Sequence, residues 1–284
     1  EVSVAVRRSW TAGVERRGTP AGPTGSKVPP DRPLVAERAS PWSAVAVDRP
    51  ASPLFRLQGV EVERNGRRVL GLLDLTLPAR GPIVVAGPSG SGKSSLLRLL
   101  NRLDVPSAGT IELRGDDLAA ADPLKVRRRV AMVFQRPVVF EGTVLVNLRE
   151  AATDLSRDEA SIQLVRVGLD PELLDRDARD LSGGEAQRMA LARSLTTQPD
   201  VVLFDEQTSS LDTANALRIE ELAQSLQDDG VSVIWVTHDL DQLERLAAWI
   251  VVLIDGTLAQ EGPASEVLAH PTDAVAAFLS GGAS

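Results

Sequence analysis

The chain of 284 residues is 43% hydrophobic and contains no cysteine, so it can bury a core unaided, while disulfide frameworks and thiolate metal sites are excluded. Its formal net charge of −8 is uneven: residues 1–53 hold eight Lys or Arg against five Asp or Glu, leaving a body with 23 basic and 34 acidic residues. An acidic body argues against nucleic acid as a ligand, because phosphate backbones are held by clustered Lys and Arg.

Residues 1–53 carry eight of the 18 prolines and mix Pro, Gly and small polar residues without a period, which reads as a disordered basic tail. The N-terminus has neither the apolar stretch of a secretory signal nor an initiating Met, so the first residue is expected to mark a processed, truncated or misassigned start. Folding is expected from Leu54 to about 281. There "LFRLQGVEV" alternates as a strand, Asn65 and Gly66 form a hairpin turn, and "RRVLGLLDLTLP" returns as strand. "PIVVAG" is a continuous apolar run, as in a strand covered on both faces. A helix follows from Lys93 to about Leu103, with Leu96, Leu97, Leu99, Leu100 and Leu103 as its buried stripe.

"GTIELRG" and "RVAMVFQ" read as strands, and 143–150 and 157–167 as helices, so 137–183 is expected to be a mostly helical insertion. The chain then alternates helix 183–196, strand "DVVLFDE", helix 213–228, strand "VSVIWVTH", helix 239–247 and strand "AWIVVLIDG". Such alternation implies βαβ units and a parallel sheet. No apolar run approaches the roughly 20 residues that span a bilayer, so the chain is expected to have no transmembrane segment, and any membrane role must come through a partner. A reducing cytoplasm suits a chain without Cys.

"GPSGSGKS" fits G-x-x-x-x-G-K-S between an apolar strand and an amphipathic helix, the context that gives this pattern meaning. The loop from Gly87 through Pro88, Ser89, Gly90, Ser91 and Gly92 to Lys93, Ser94 and Ser95 is the candidate nucleotide site. Its glycines let successive N–H groups point inward at phosphate, Lys93 reaches the β and γ phosphates, and the Ser94 hydroxyl is a Mg²⁺ ligand. "VVLFDE" delivers Asp205 to the carboxyl edge of the sheet as the carboxylate for that Mg²⁺. Glu206, beside it, is placed to orient or deprotonate the attacking water. Gln135 closes "RVAMVFQ" and His238 closes "VSVIWVTH" at the same edge, where His238 can donate a hydrogen bond to the γ-phosphate. His270 reads as a surface residue.

"LSGGEAQR" places Ser182, Gly183 and Gly184 at a second helix N-terminus. One helix terminus contributes at most ~2 kcal/mol to an anion, whereas micromolar to millimolar nucleotide binding takes about 4 to 8 kcal/mol. The second glycine pair therefore reads as a cap on a triphosphate held by another copy, in a C₂ dimer glued by ATP.

"GPSGSGKSS", "VFQ", "LSGGEAQR", "VVLFDE", "SSLD" and "VTHD", in this order and spacing, resemble the nucleotide-binding subunit of ATP-binding cassette (ABC) transporters, from about Leu54 to Gly262 or beyond. The resemblance implies an α/β fold of the P-loop NTPase type, mainly parallel sheet with an antiparallel β edge and a helical subdomain. It further implies ATP and Mg²⁺ as cofactors, a separate integral-membrane permease subunit, and a cytoplasmic place on the inner face of the cell membrane. On the same ground Gln135 senses Mg²⁺ and the membrane partner, Glu206 is the catalytic base and His238 the switch residue. Ser210, Leu211 and Asp212 would reach across the dimer.

Three departures stand out. Arg64 occupies the position where such proteins usually stack an aromatic ring on adenine, Gln207 stands where a proline is common, and Ala186 where Lys or Arg is frequent. A guanidinium can stack on a base at about 1 kcal/mol, so weaker or less base-selective binding is expected. "QRPVVFEGTVLVNL" has the apolar, turn-bearing character suited to a coupling helix. With the other stretches it most resembles ATPases of an iron-export type, with phosphate-importer ATPases as the alternative. Two other functions stay in view: a soluble ABC-type ATPase, against which the single cassette and the acidic body argue, and a nucleotide-binding regulator without turnover, which rests on Arg64 alone.

Overall fold

The computed structural model describes residues 53–206 and 213–281. The expected tail, apart from Pro53, lies outside the described residues, as do Gln207, Ser210, Leu211 and Asp212.

In chain order the elements are β1 (Phe55–Arg64), β2 (Arg67–Leu77), β3 (Ile83–Ala86), α1 (Lys93–Leu100), β4 (Ala108–Leu113), β5 (Asp116–Asp117), α2 (Pro123–Arg129) and β6 (Val130–Val133). Then come α3 (Val144–Arg149), α4 (Arg157–Arg166), two 3-10 turns (Pro171–Asp175 and Ala178–Asp180) and α5 (Gly183–Leu195). The chain continues with β7 (Val201–Asp205), α6 (Thr213–Asp228), β8 (Ser232–Val236), α7 (Leu240–Leu246), β9 (Trp249–Ile254), β10 (Thr257–Pro263), α8 (Ala264–Ala269) and α9 (Asp273–Leu279).

Asn65 and Gly66 both adopt positive φ, 51° and 72°, so the β1–β2 hairpin closes on the turn whose twist suits paired strands. This antiparallel layer has the order β2-β1-β4-β5. The second sheet, β10-β9-β3-β8-β7-β6, is parallel except for the β9–β10 pair. Its central strands are buried on both faces, which is why they read as unbroken apolar runs. Ile83 and Val85 point into a core shared with β1, β2, β4 and α1; Val84 and Ala86 point into the core built with α3 to α6. Between the parallel neighbours β6 and β7 the chain runs through α3, α4, the two 3-10 turns and α5.

Several expectations need correcting. The first helix stops at Leu100, because Arg102 turns left-handed (φ 55°) and the Asp104 N–H reaches back to the Arg98 carbonyl; Leu103 packs on the core from that turn. Strand β6 ends at Val133 and β8 at Val236, so Gln135 and His238 sit in the loops that follow rather than closing strands. Helix α2 was not anticipated, although Asp122 caps it by accepting the Leu124 N–H and a proline opens it. Nor was β10, which folds back after Asp255 and Gly256 at positive φ, 49° and 74°.

Candidate functional site

The register of the parallel sheet fixes where the site lies. Val85 of β3 and Asp205 of β7 both pair with Val236 of β8, and Val133 of β6 pairs with Phe204 of β7. The loops carrying Gly87–Gly92, Gln135, Glu206 and His238 therefore leave the sheet along one edge. This is the carboxyl edge, where ligands of open α/β sheets bind.

The phosphate loop owes its path to its glycines. Gly87 has φ 143°, and a Cβ there would meet the Leu253 carbonyl oxygen at 2.0 Å; Gly92 has φ 95°, and a Cβ there would meet Leu70 Cδ2 at 2.4 Å. Gly92 caps α1 without a side-chain hydrogen bond, and no acidic residue lies in the first turn. The outward N–H groups of that turn are thus left to an anion. Lys93 is buried, and its Nζ donates to the carbonyls of Gly87 at 2.9 Å and Pro88 at 2.8 Å. Burial pulls its pKa down, against the negative charges of Glu206 and Asp205. Ser89, Gly90 and Ser94 are exposed, Pro88 and Ser95 half-buried. The Ser91 hydroxyl is buried in the loop without a hydrogen-bond partner among the described residues.

Ser94 Oγ donates to Asp205 Oδ1 at 2.9 Å, joining the loop to the end of β7. Burial raises the Asp205 pKa; the Ser94 hydrogen bond opposes this, Glu206 adds to it, and Lys93 and Arg98 oppose it. Glu206 adopts φ 48°, a left-handed conformation that costs a residue with a Cβ about 1–3 kcal/mol. Its N–H donates to the Val236 carbonyl at 3.2 Å, and its Oε1 lies 3.5 Å from His238 Nδ1. Two of the four residues expected at this edge thus meet directly. Gln135 is exposed in the loop after β6.

Ser94 and Asp205 form an all-oxygen pair suited to Mg²⁺, which commonly takes one or two carboxylates and completes its shell with phosphate and water. A carboxylate held against its own ionisation by burial also suits a cation. No cluster of three or more His, Cys, Asp or Glu that could hold a metal occurs among the described residues.

Ser182 caps α5 by a capping box. Its N–H and Oγ both donate to Glu185 Oε2, at 2.8 and 2.7 Å, while its Oγ accepts the Glu185 N–H at 3.4 Å. Gly183 is exposed, and a Cβ there would have nothing within 4 Å, whereas one at Gly184 would lie 3.2 Å from Asn215 Nδ2. Asn215, near the start of α6, accepts a hydrogen bond from the buried Arg188 at 2.7 Å. Among the described residues, no hydrogen bond or ion pair joins Ser182, Gly183 or Gly184 to the phosphate loop.

Arg64, at the end of β1, is ion-paired to Asp104, which also accepts from Arg98 Nε of α1 at 2.9 Å. This tie to the phosphate-loop helix escaped the sequence reading, as did Asn215 behind the glycine pair; neither belongs to a spaced motif. A cleft of about 350 Å³ opens beside the Gln135 loop, lined by Phe134, Arg136, Val138, Phe140, Glu150 and Arg193. Phe134 and Phe140 are each about two-fifths exposed, at 40% and 41%. Arg193 of α5 lies 4.7 Å over the Phe140 ring and donates to the Val138 carbonyl at 2.8 Å.

A phosphate loop, a serine joined to a strand-end aspartate and an adjoining glutamate together define a nucleoside triphosphatase of the P-loop class. Comparison with known proteins narrows this. The family model described as ABC transporter matches residues 70–209. "Protein STAR1" of rice is 41% identical over 225 residues, 76% of this chain and 65% of that protein. "Phosphate import ATP-binding protein PstB 2" of Natronomonas pharaonis is 36% identical over 241 residues, 78% of this chain and 85% of that protein. Among solved structures, cbiO1 of Clostridium perfringens, part of the ABC transporter complex cbiONQ, aligns with a TM-score of 0.68 at 26% identity, covering 77% of this chain and 92% of that one. The chain belongs to the ABC transporter family as an ATP-binding subunit, and its activity is ATP hydrolysis. No helix among the described residues is long and apolar enough to cross a membrane.

Proposed function

We propose that this subunit drives transport through a separate integral-membrane subunit by closing and opening an ATP-bound homodimer. In that dimer Ser182, Gly183 and Gly184 of each copy cap the triphosphate held by Gly87 to Ser95 of the other. Lys93 leaves its loop carbonyls for the β and γ phosphates. Ser94, Asp205 and Gln135 would hold Mg²⁺, which would supply positive charge to neutralise the phosphates. Glu206, turned toward His238 by its left-handed backbone, accepts the proton of the attacking water, and His238 donates to the γ-phosphate. Asp212 reaches across the interface, and Arg64, steadied by Asp104, offers its guanidinium face to the base. The domain is taken as 54–281 with a helical part at about 137–183, and residues 1–53 as a tail.

The observation that carries turnover is the meeting of Ser94 with Asp205 and of Glu206 with His238 beside the buried Lys93 amine. The cleft with its exposed Phe134 and Phe140 supports a membrane subunit as partner and, with it, a place on the cytoplasmic face of the membrane. For the transported substrate, the iron-export resemblance rests on the stretches quoted above, and the phosphate-import alternative is supported by the archaeal relative; the membrane subunit decides between them. The test is Glu206→Gln with ATP: a stable dimer by size-exclusion with light scattering is expected, and a monomer at saturating ATP overturns the composite site. Co-purification from detergent-solubilised membranes is expected to bring down the membrane subunit, and recovery of ribosomes or DNA instead refutes the transport reading.

A further inference from the structure

Beneath the catalytic edge a chain of polar side chains crosses the core. Trp235, three residues before His238, stacks on Phe204, the residue before Asp205, with ring centroids 4.6 Å apart and planes inclined by 22°. The Trp235 indole N–H donates to Gln242 Oε1 at 3.1 Å. Gln242 Nε2 in turn donates to Glu220 Oε1 at 2.8 Å, and Arg245 donates to both Glu220 oxygens at 2.9 and 3.3 Å. Trp235, Gln242 and Glu220 are all buried, and removing the Gln242 amide takes away the acceptor of the Trp235 N–H, while Glu220 keeps Arg245.

The geometry singles out Gln242. Its backbone N–H donates to Asp239 Oδ1 at 3.2 Å, and the Asp239 N–H donates to Thr237 Oγ1 at 3.0 Å. The short loop bearing His238 is therefore fastened at both feet by one residue, through its side chain to the strand before and through its backbone to the cap after. An indole N–H only donates and a carboxylate only accepts, so the amide satisfies both neighbours in a single orientation. Glu220 fixes that orientation from α6, the helix that follows the 207–212 segment.

We propose that Gln242, oriented by Glu220, is a positioning residue that holds His238 against Glu206 for hydrolysis. The proposal rests on the reading of His238 as a donor to the γ-phosphate. It is tested by ATP turnover, nucleotide affinity and melting of full-length Gln242→Met, alone and combined with His238→Ala. The expected result is a fall in kcat of about fivefold or more with KM and ATP affinity held within about twofold. In the His238→Ala background the same substitution is expected to cost nothing further, because its effect passes through that residue. Glu220→Gln, which preserves size, should repeat the pattern and serves if Gln242→Met folds poorly. Equal losses in both backgrounds, or a lowered melting temperature with unchanged kcat, overturn the proposal. If His238→Ala alone turns over ATP at the parent rate, the reading of His238 fails and the proposal falls with it.

Discussion

In the proposed dimer the first turn of α5, which carries Glu185, meets the partner copy's γ-phosphate, and Glu185→Gln is the most informative single substitution at that contact. Its carboxylate accepts the Ser182 N–H and Oγ–H at 2.8 and 2.7 Å, and these hydrogen bonds hold its pKa below the usual range. A negative charge in the first turn of a helix gains about 0.3–1 kcal/mol from the helix dipole, and a phosphate at the same turn meets that charge as a repulsion of similar size. Two such sites per dimer give about 0.6–2 kcal/mol, or about 3- to 30-fold in the dimer dissociation constant. Glutamine still completes the capping box, so α5 keeps its N-terminal hydrogen bonds. Sedimentation of Glu206→Gln with ATP, with and without Glu185→Gln, should show the tighter dimer in the double variant. The gain should shrink as salt rises, because the group is only half-buried. An unchanged or weaker dimer at low salt would refute the reasoning.

Three further outcomes are expected. Lys93→Ala should abolish ATP hydrolysis in a phosphate-release assay, and retained turnover removes the loop lysine from the mechanism. Burial holds the Asp205 pKa above its ordinary value, so this group's contribution to stability is present below about pH 4 and is lost as pH rises through the folded pKa. Asp205→Asn without nucleotide should therefore melt above the parent at pH 7, with the gap closing toward pH 4; a variant that melts below the parent at pH 7 contradicts this. Arg64→Tyr should lower the KM for ATP, since an aromatic face stacks on a base with about 1–3 kcal/mol against about 1 kcal/mol for the guanidinium, and equal KM values for parent and variant would take Arg64 away from the base.

What could be read from the sequence was whatever chemistry is contiguous along the chain. The phosphate loop carries its own strand and helix, Asp205 and Glu206 end an apolar run, and Ser182 opens a helix, so local pattern placed each of them. The ties that orient them are long-range. Asp104 joins Arg64 to Arg98, Asn215 meets Arg188 and Gly184, and Gln242 links Trp235 to Glu220. Each is set by how helices pack on the sheet and follows no spacing rule. Helix α2 and strand β10 went unread although Asp122–Pro123 and Asp255–Gly256 announce them; these are misses of local turn chemistry.

Lys93 is held by the carbonyls of Gly87 and Pro88 in its own loop. The cradle is thus shaped when the chain folds, and a guest needs only to replace one set of acceptors with another. Capture should then run at a speed governed by encounter, nearly the same for every nucleoside triphosphate. Discrimination among them should appear in residence time, with departure rates separating purine from pyrimidine.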